Sequence, residues 1–358
     1  MIDVINLTRG NPDPAAFPIN DLIKCGEENL KRDGKVVLQY GYAPGYAPLR
    51  EWLAEHYSVK PANIFMGNSS LEIMNFLCQL ELKPGVRVFV ESPTYDRANT
   101  LMRRYGANVV GVPIEPDGMN LEVFEKELKK GTPAFVYIIA DFQNPMGVTT
   151  SEAKRKQIAV WAQQYNFWVV EDAPYRHLRY HGKDVPTILS FANDRVLHMA
   201  SYSKLLAPGL RLGYMVGPEV MITKIVKFAQ DTYIGPVLPT QGMVFEYLNK
   251  GLLPPNIEKL KKLYGPRLDA TLAALDKHIP GTIIARPEGG YYVSLNLPKG
   301  NTMDKLLSRA EGVGLKLTDG RGFFLNPTDG DRFLRIPYCL ISPAEMEEAI
   351  KRVASILD

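Results

Sequence analysis

In the stretch "SYSKLLAPGLRLGY" (201–214) a single lysine, Lys204, stands beside two serine hydroxyls, Ser201 and Ser203, with Arg211 a short turn away. A guanidinium and hydroxyls around one amine form a donor set suited to a phosphate, and the amine itself can add to a carbonyl carbon. Other reactive side chains also follow short apolar runs. Asn144 lies in "DFQNPMG" after 134–140, Asp172 and Tyr175 in "EDAPY" after 167–170, and Tyr95 in "ESPTYDRA" after 87–92. Upstream, "MGNSSLEIMNFL" (66–77) is a polar turn opening a helix. There the N–H groups at 68–70 and the hydroxyls of Ser69 and Ser70, next to Asn68, suit a phosphate at a helix N-terminus.

The elements that must hold these groups follow from hydropathy. "RVFVES" (87–92), "AFVYIIA" (134–140), "FWVVED" (167–172) and "RVLHMAS" (195–201) read as strands, nearly continuous in apolar residues. Between them, Ile158, Trp161, Ala162 and Tyr165 share one helical face in 151–166, and Leu121, Phe124 and Leu128 another in 119–130. Strand-helix alternation of this kind predicts an α/β fold, a mostly parallel sheet flanked by helices on both faces. The last third differs. A long helical stretch (218–247) and a second helix (255–277) lead to "GTIIARPEGGYYVSLNLP", read as paired strands with a turn at Pro287–Gly290. A final helix follows, with Met346, Ala349, Ile350, Val353 and Leu357 on one stripe. The expected organisation is a large domain over 37–245 and a smaller α+β domain from 1–36 and 246–358.

Ligands of open α/β sheets bind beyond the carboxyl ends of the strands. Singly, each polar group named above has a structural reading: a helix cap, a turn, a packed ring, a solvated lysine. Gathered at one sheet edge they are an amide, a carboxylate, a phenol, an amine, an aromatic plate and a phosphate cradle. That is the inventory for holding pyridoxal phosphate.

Bulk properties exclude other classes. The 358 residues are 46% hydrophobic and 23% charged with net charge +3, too balanced for a nucleic-acid or membrane surface. No apolar run approaches the roughly 18 residues of a membrane helix, and the N-terminus is not that of a secretory signal. Three scattered cysteines read as reduced thiols of a cytoplasmic protein, and the five histidines lack metal-ligand spacing, so no metal is expected.

With these motifs in order, the chain resembles the fold-type I pyridoxal-phosphate aminotransferases of class I/II. It is most similar to the branch containing the 2-aminoadipate and kynurenine aminotransferases. The resemblance runs from "LTRGNPDPAAFP" and "LQYGYAPGYAPLREWLA" through "GNSSLEI", "QNPMGVT", "EDAPYRHL" and "SYSKLLAPGLRLGY" to "PEGGYYVSLNLP" and "FLRIPYC". It implies that Lys204 forms the internal aldimine and that Asp172 pairs with the pyridine nitrogen. Tyr175 and Asn144 would bond the 3′ oxygen, and Tyr95 would stack on the ring. Ser201, Ser203 and Arg211 on one side, with Asn68, Ser69 and Ser70 on the other, would hold the phosphate. Arg335 would take the substrate α-carboxylate, with Gly10 and Asn144 close to it. Arg9 reads either as a probe of an acidic substrate side chain or as a structural ion pair. A tyrosine of the neighbouring subunit would reach the phosphate in a homodimer, Tyr40 first and Tyr42 as its rival.

The sequence departs from the family pattern in places. The chain is short and starts almost directly at "RGNP", so the segment that often covers the substrate is expected to be nearly missing. Asn68, Ser69 and Ser70 stand where Ser-Gln-Gln is common, and Arg321–Gly322 in "TDGRGFFLNP" replaces a more usual Pro-Gly. The expected activity is ping-pong transfer of an amino group from an L-amino acid to a 2-oxo acid. Another reaction of the same cofactor (β-elimination, an oxidase-like step or decarboxylation) stays open at this stage. So does a ligand-sensing regulator, although no helix-turn-helix pattern is present.

Overall fold

The computed structural model describes residues 3–358. Its main sheet contains β2 (Ile64–Gly67), β3 (Arg87–Ser92), β4 (Asn108–Glu115), β5 (Gly118–Met119), β6 (Phe135–Ile138), β7 (Trp168–Asp172), β8 (Val196–Ser201) and β9 (Gly213–Val216). β1 (Ile5–Leu7), β10 (Tyr292–Asn296), β11 (Leu315–Leu317) and β12 (Phe333–Pro337) lie outside it. The eight strands are ordered β2-β9-β8-β7-β6-β3-β4-β5, and only β9 and β5 run against the rest. The predicted mostly parallel α/β sheet is therefore present.

Both faces of this sheet are covered, which is why its strands are apolar at nearly every position. Val136, Ile138, Val169 and Val196 pack into one core. Their neighbours Phe135, Tyr137, Val170, Leu197 and Met199 pack into a second core on the opposite face. The helices carry their own start and stop signals. Ser151 caps Glu152–Tyr165 by accepting from the Lys154 N–H, and Asn166 ends it in the left-handed region. Ser342 and Glu345 form a capping box on Pro343–Ser355.

Two expected elements differ. The single helix expected over 218–247 is two, Glu219–Tyr233 and Leu238–Asn249. Ile234 takes a positive φ of 69°, and Pro236 offers no N–H to continue the ladder. The strand pair expected within 281–298 is also absent as drawn. β10 pairs antiparallel with β12, Ser294 opposite Arg335, and the upstream segment contributes only a bridge from Ile283 to Leu295. Hydropathy finds strands but not their partners.

The smaller unit has its own core, from Leu7 of β1 and Leu295 of β10 to Leu334 of β12 and Val353 of the last helix. β1 pairs parallel with β11, so the start of the chain joins the C-terminal third. The helix Ile19–Val37 belongs elsewhere: its Leu22, Cys25 and Val37 enter the first core of the large sheet. The expected segment 1–36 is thus split between the two units. The later boundary runs inside the helix Leu253–His278, which is about 39 Å long at 1.5 Å per residue. Its Leu260 and Tyr264 pack on the large unit, its Leu268 and Leu275 in the small one. No helix of the described residues is long and apolar enough to cross a membrane. All three cysteines are buried and free.

Candidate active site

A cavity of about 570 Å³ opens at the carboxyl ends of β6, β7 and β8, where the smaller unit closes over the sheet. The turn carrying Lys204 links β8 to β9. Ser201 pairs opposite Gly213, so both ends of the turn sit side by side and Lys204 and Arg211 flank one space. The Ser203 N–H and the Ser201 Oγ are 3.1 Å apart, and the two hydroxyls are 2.9 Å apart. Arg211 is exposed, takes φ of 49°, and donates to the Pro208 carbonyl at 3.3 Å. A Cβ at Gly213 would run into the Ser69–Ser70 backbone, so glycine is what lets the helix Ser70–Glu81 approach the turn.

At that helix start, Ser69 Oγ accepts from the Glu72 N–H at 3.1 Å. Ser70 and Leu71, whose first-turn N–H groups have no partner inside the helix, line the cavity. Asn68 departs from the expectation. Its amide bonds Glu72 Oε1 at 3.2 Å and the Val237 N–H at 3.0 Å, its own N–H bonds Glu72 Oε2 at 2.7 Å, and it is outside the cavity lining. The carboxylate four residues on captures both donors, a local contact that motif matching overlooks.

Among the charged side chains that line the cavity without an ionic partner among the described residues are Lys204, Asp172 and Arg335. Lys204 Nζ donates to the Gly10 carbonyl at 3.1 Å and sits 5.4 Å from the centre of the Tyr291 ring. Burial holds its pKa below the usual lysine value, and the Arg335 charge lowers it further. Asp172 ends β7 with Oδ2 accepting from the Tyr137 hydroxyl at 2.6 Å, while its buried Oδ1 has no partner. Burial pushes its pKa up to about 6. Arg335 on β12 is buried between two rings, its Cζ 4.4 Å from the centre of Tyr292 and 4.5 Å from that of Phe323. It donates to Asn144 Oδ1 at 2.9 Å and to the Thr8 carbonyl at 3.1 Å, and its Nε is unpartnered. Buried charges are normally paired, so these groups mark a site shaped for a charged ligand.

The remaining expected residues are distributed as follows. Tyr175 is buried, with its hydroxyl 3.5 Å from that of Tyr292, and burial holds its pKa well above the usual value. Tyr95, the residue before the helix Asp96–Arg104, lines the cavity, and burial raises its pKa to about 12. Gly10 meets the Tyr292 hydroxyl where a Cβ would stand. Arg9 is exposed at the wall and makes no ion pair among the described residues. Tyr40 and Tyr42 lie away from this cavity, 81% and 86% exposed.

Sequence reasoning missed Tyr137, Tyr292 and Phe323. Tyr292 had a signal, because paired glycines before paired tyrosines imply a close backbone approach. Tyr137 had none, since a tyrosine inside an apolar strand reads as core.

The family model described as aminotransferase class I and II matches residues 2–353. An aromatic-amino-acid aminotransferase of Thermococcus litoralis is 33% identical over 99% of this chain and 88% of its own. A solved kynurenine aminotransferase of Pyrococcus horikoshii, in complex with PMP, is similar with a TM-score of 0.94 and 33% identity, over 99% of this chain and 90% of that one. An alpha-aminoadipate aminotransferase of Thermus thermophilus, complexed with N-(5'-phosphopyridoxyl)-L-leucine, is similar with a TM-score of 0.92 and 30% identity, over 99% and 92%.

Proposed function

Since the chain belongs to the class I and II aminotransferases, we propose that this cavity holds pyridoxal 5′-phosphate at Lys204 and exchanges an amino group between an L-amino acid and a 2-oxo acid. The observation that carries this reading is a set of three charges, the half-buried Lys204 and the buried Asp172 and Arg335, left without ionic partners among the described residues around one cavity. The residues fit the cofactor. The free Asp172 Oδ1 suits a protonated ring nitrogen, Lys204 is an amine shielded from water, and the turn between β8 and β9 faces a helix start.

When bound, the cofactor supplies an electron sink for the pair left on the substrate Cα. Lys204 would hold its aldehyde until the substrate amine takes the place of Nζ there, and the freed Nζ would then take the Cα proton, which requires the neutral amine that burial favours. Asp172 keeps the ring nitrogen protonated. Tyr175 and Asn144 would hold the 3′ oxygen, and Tyr95 would lie against the ring. Ser201, Ser203, Arg211 and the Ser69–Ser70 turn, which line the same cavity, would hold the phosphate. The guanidinium of Arg335, clamped between Tyr292 and Phe323, takes the α-carboxylate and so orients the substrate, while Gly10 leaves room for the Tyr292 hydroxyl. Mixing the loaded protein with an amino donor alone tests the reading. Pyridoxamine phosphate and one equivalent of 2-oxo acid are expected; release of ammonia or carbon dioxide instead would overturn it.

The same reading makes a homodimer the catalytic unit. The exposed Tyr40 and Tyr42 stand among other exposed apolar side chains, Leu38, Ile234 and Val237, a surface that suits a second copy. Tyr40 then bonds the partner's phosphate, and losing that bond costs about 1.5–3 kcal/mol of cofactor binding. The check mixes subunits carrying Tyr40→Phe with subunits carrying Lys204→Ala at limiting cofactor. Mixed dimers contain one intact site and one with both defects, so activity should rise above that of either parent. No rise, with subunit exchange verified, removes Tyr40 from the neighbour's site.

A further inference from the structure

We propose that Tyr137 is a positioning residue for Asp172, fixing one carboxylate oxygen so that the other faces the cofactor ring. The inference rests on the reading above in which Asp172 meets the ring nitrogen.

The register explains why this tyrosine reaches that carboxylate. Tyr137 pairs opposite Val170 on the parallel neighbour strand, and Asp172 lies two residues further along on the same face. Asp172 is the last residue of β7 and pairs opposite Met199 of β8. The bond from the Tyr137 hydroxyl ties down Oδ2 at 2.6 Å and leaves Oδ1 as the open acceptor. Tyr137 is buried, and burial with the Asp172 charge holds its pKa far above the usual value, so the hydroxyl keeps its proton and acts as a donor. An ionised carboxylate only accepts, so donor and acceptor are fixed in one direction.

The surrounding groups leave this contact to Tyr137. Tyr95, from the start of its helix, borders the same small space beside Asp172 but makes no bond to it. His198, on β8, bonds Glu171 on the other face of the sheet. Glu91, on β3, accepts from the Ile139 N–H. Lys204 is turned to Gly10.

The test uses Tyr137→Phe, Asp172→Asn and the double variant, each loaded with cofactor. Single-turnover rates with an amino donor, the pH dependence of that rate and the affinity of the cofactor-free protein for cofactor are measured. Tyr137→Phe should slow the single turnover about 10- to 100-fold, the loss expected of one bond to a buried charge. Its acid limb should move to higher pH, because the lost bond favoured the ionised carboxylate. In the Asp172→Asn background the same change should alter the rate less than about twofold, since residues acting through one another are non-additive. A merely structural tyrosine would slow both backgrounds equally and leave the acid limb in place, and either result overturns the inference. Wild-type behaviour of Asp172→Asn would instead overturn the underlying role of Asp172, and the inference with it.

Discussion

Lys204→Ala is expected to lower turnover by a thousandfold or more, the combined loss of the covalent anchor and of a proton carrier worth about 10²- to 10⁴-fold by itself. The fold should survive. Lys204 lies in a turn, and its ammonium makes one hydrogen bond, to a main-chain carbonyl, in a site where its charge is otherwise uncompensated. Removing such a group takes away a desolvation cost along with the bond. The cofactor should still bind, through the phosphate turn, but only reversibly. Borohydride treatment of the wild-type protein followed by peptide mapping provides the companion measurement. Label on Lys204 in wild type and none in the variant is the expected pair. Label on another lysine, or turnover within tenfold of wild type in the variant, would sink the assignment.

Asp172→Asn should act in opposite directions on catalysis and on the stability of the cofactor-free protein. With the charge gone, the ring nitrogen loses its ion pair in a dry site, and turnover should fall about 10²- to 10³-fold, as for loss of one preorganised electrostatic contact. Without cofactor, the wild-type carboxylate is a burden. Its pKa is raised from 3.8 to about 6 by burial, so the folded form holds this proton to higher pH than the unfolded chain does. Ionisation therefore penalises folding: not below pH 3.8, increasingly between 3.8 and about 6, and fully above, by about 3 kcal/mol. Asparagine escapes that penalty. At pH 7 the cofactor-free variant should melt above the cofactor-free wild type, and the gap should close as the pH falls toward 4. A variant that melts with wild type at pH 7, or turns over normally, would show that Asp172 is neither the buried charge nor the ring partner described.

Much of the architecture was legible because local signals agreed with one another. The strands at 87–92 and 195–201 coincide with β3 and with β8 to within a residue, since unbroken apolar runs bounded by polar turns satisfy a doubly covered sheet. The helix over 151–166 announced itself by period, and the structure adds its Ser151 cap. Lys204, Ser201, Ser203 and Arg211 fall within one turn, so the sequence alone placed them together. The α/β class, the order of the strand-end polar groups and the family resemblance likewise needed nothing beyond the chain's own order.

What the tertiary structure decided lies between segments far apart in sequence. Arg335 meets Asn144 across 191 positions because β12 pairs with β10 and the smaller unit folds back over the sheet ends. Gly10 meets Lys204 because β1 crosses to β11, and the helix Ile19–Val37 leaves that unit because its apolar stripe finds the helix Leu238–Asn249. Asn68 shows the opposite case, a motif residue captured by Glu72 one turn later. Tyr137 shows the general reason. Along the chain it is one apolar position among several in a strand, and only the pairing register with β7 puts a carboxylate within reach of its hydroxyl. Period and composition report which face a side chain takes, because that depends on its own neighbours in sequence. What stands opposite depends on pairing and packing, which no local signal encodes.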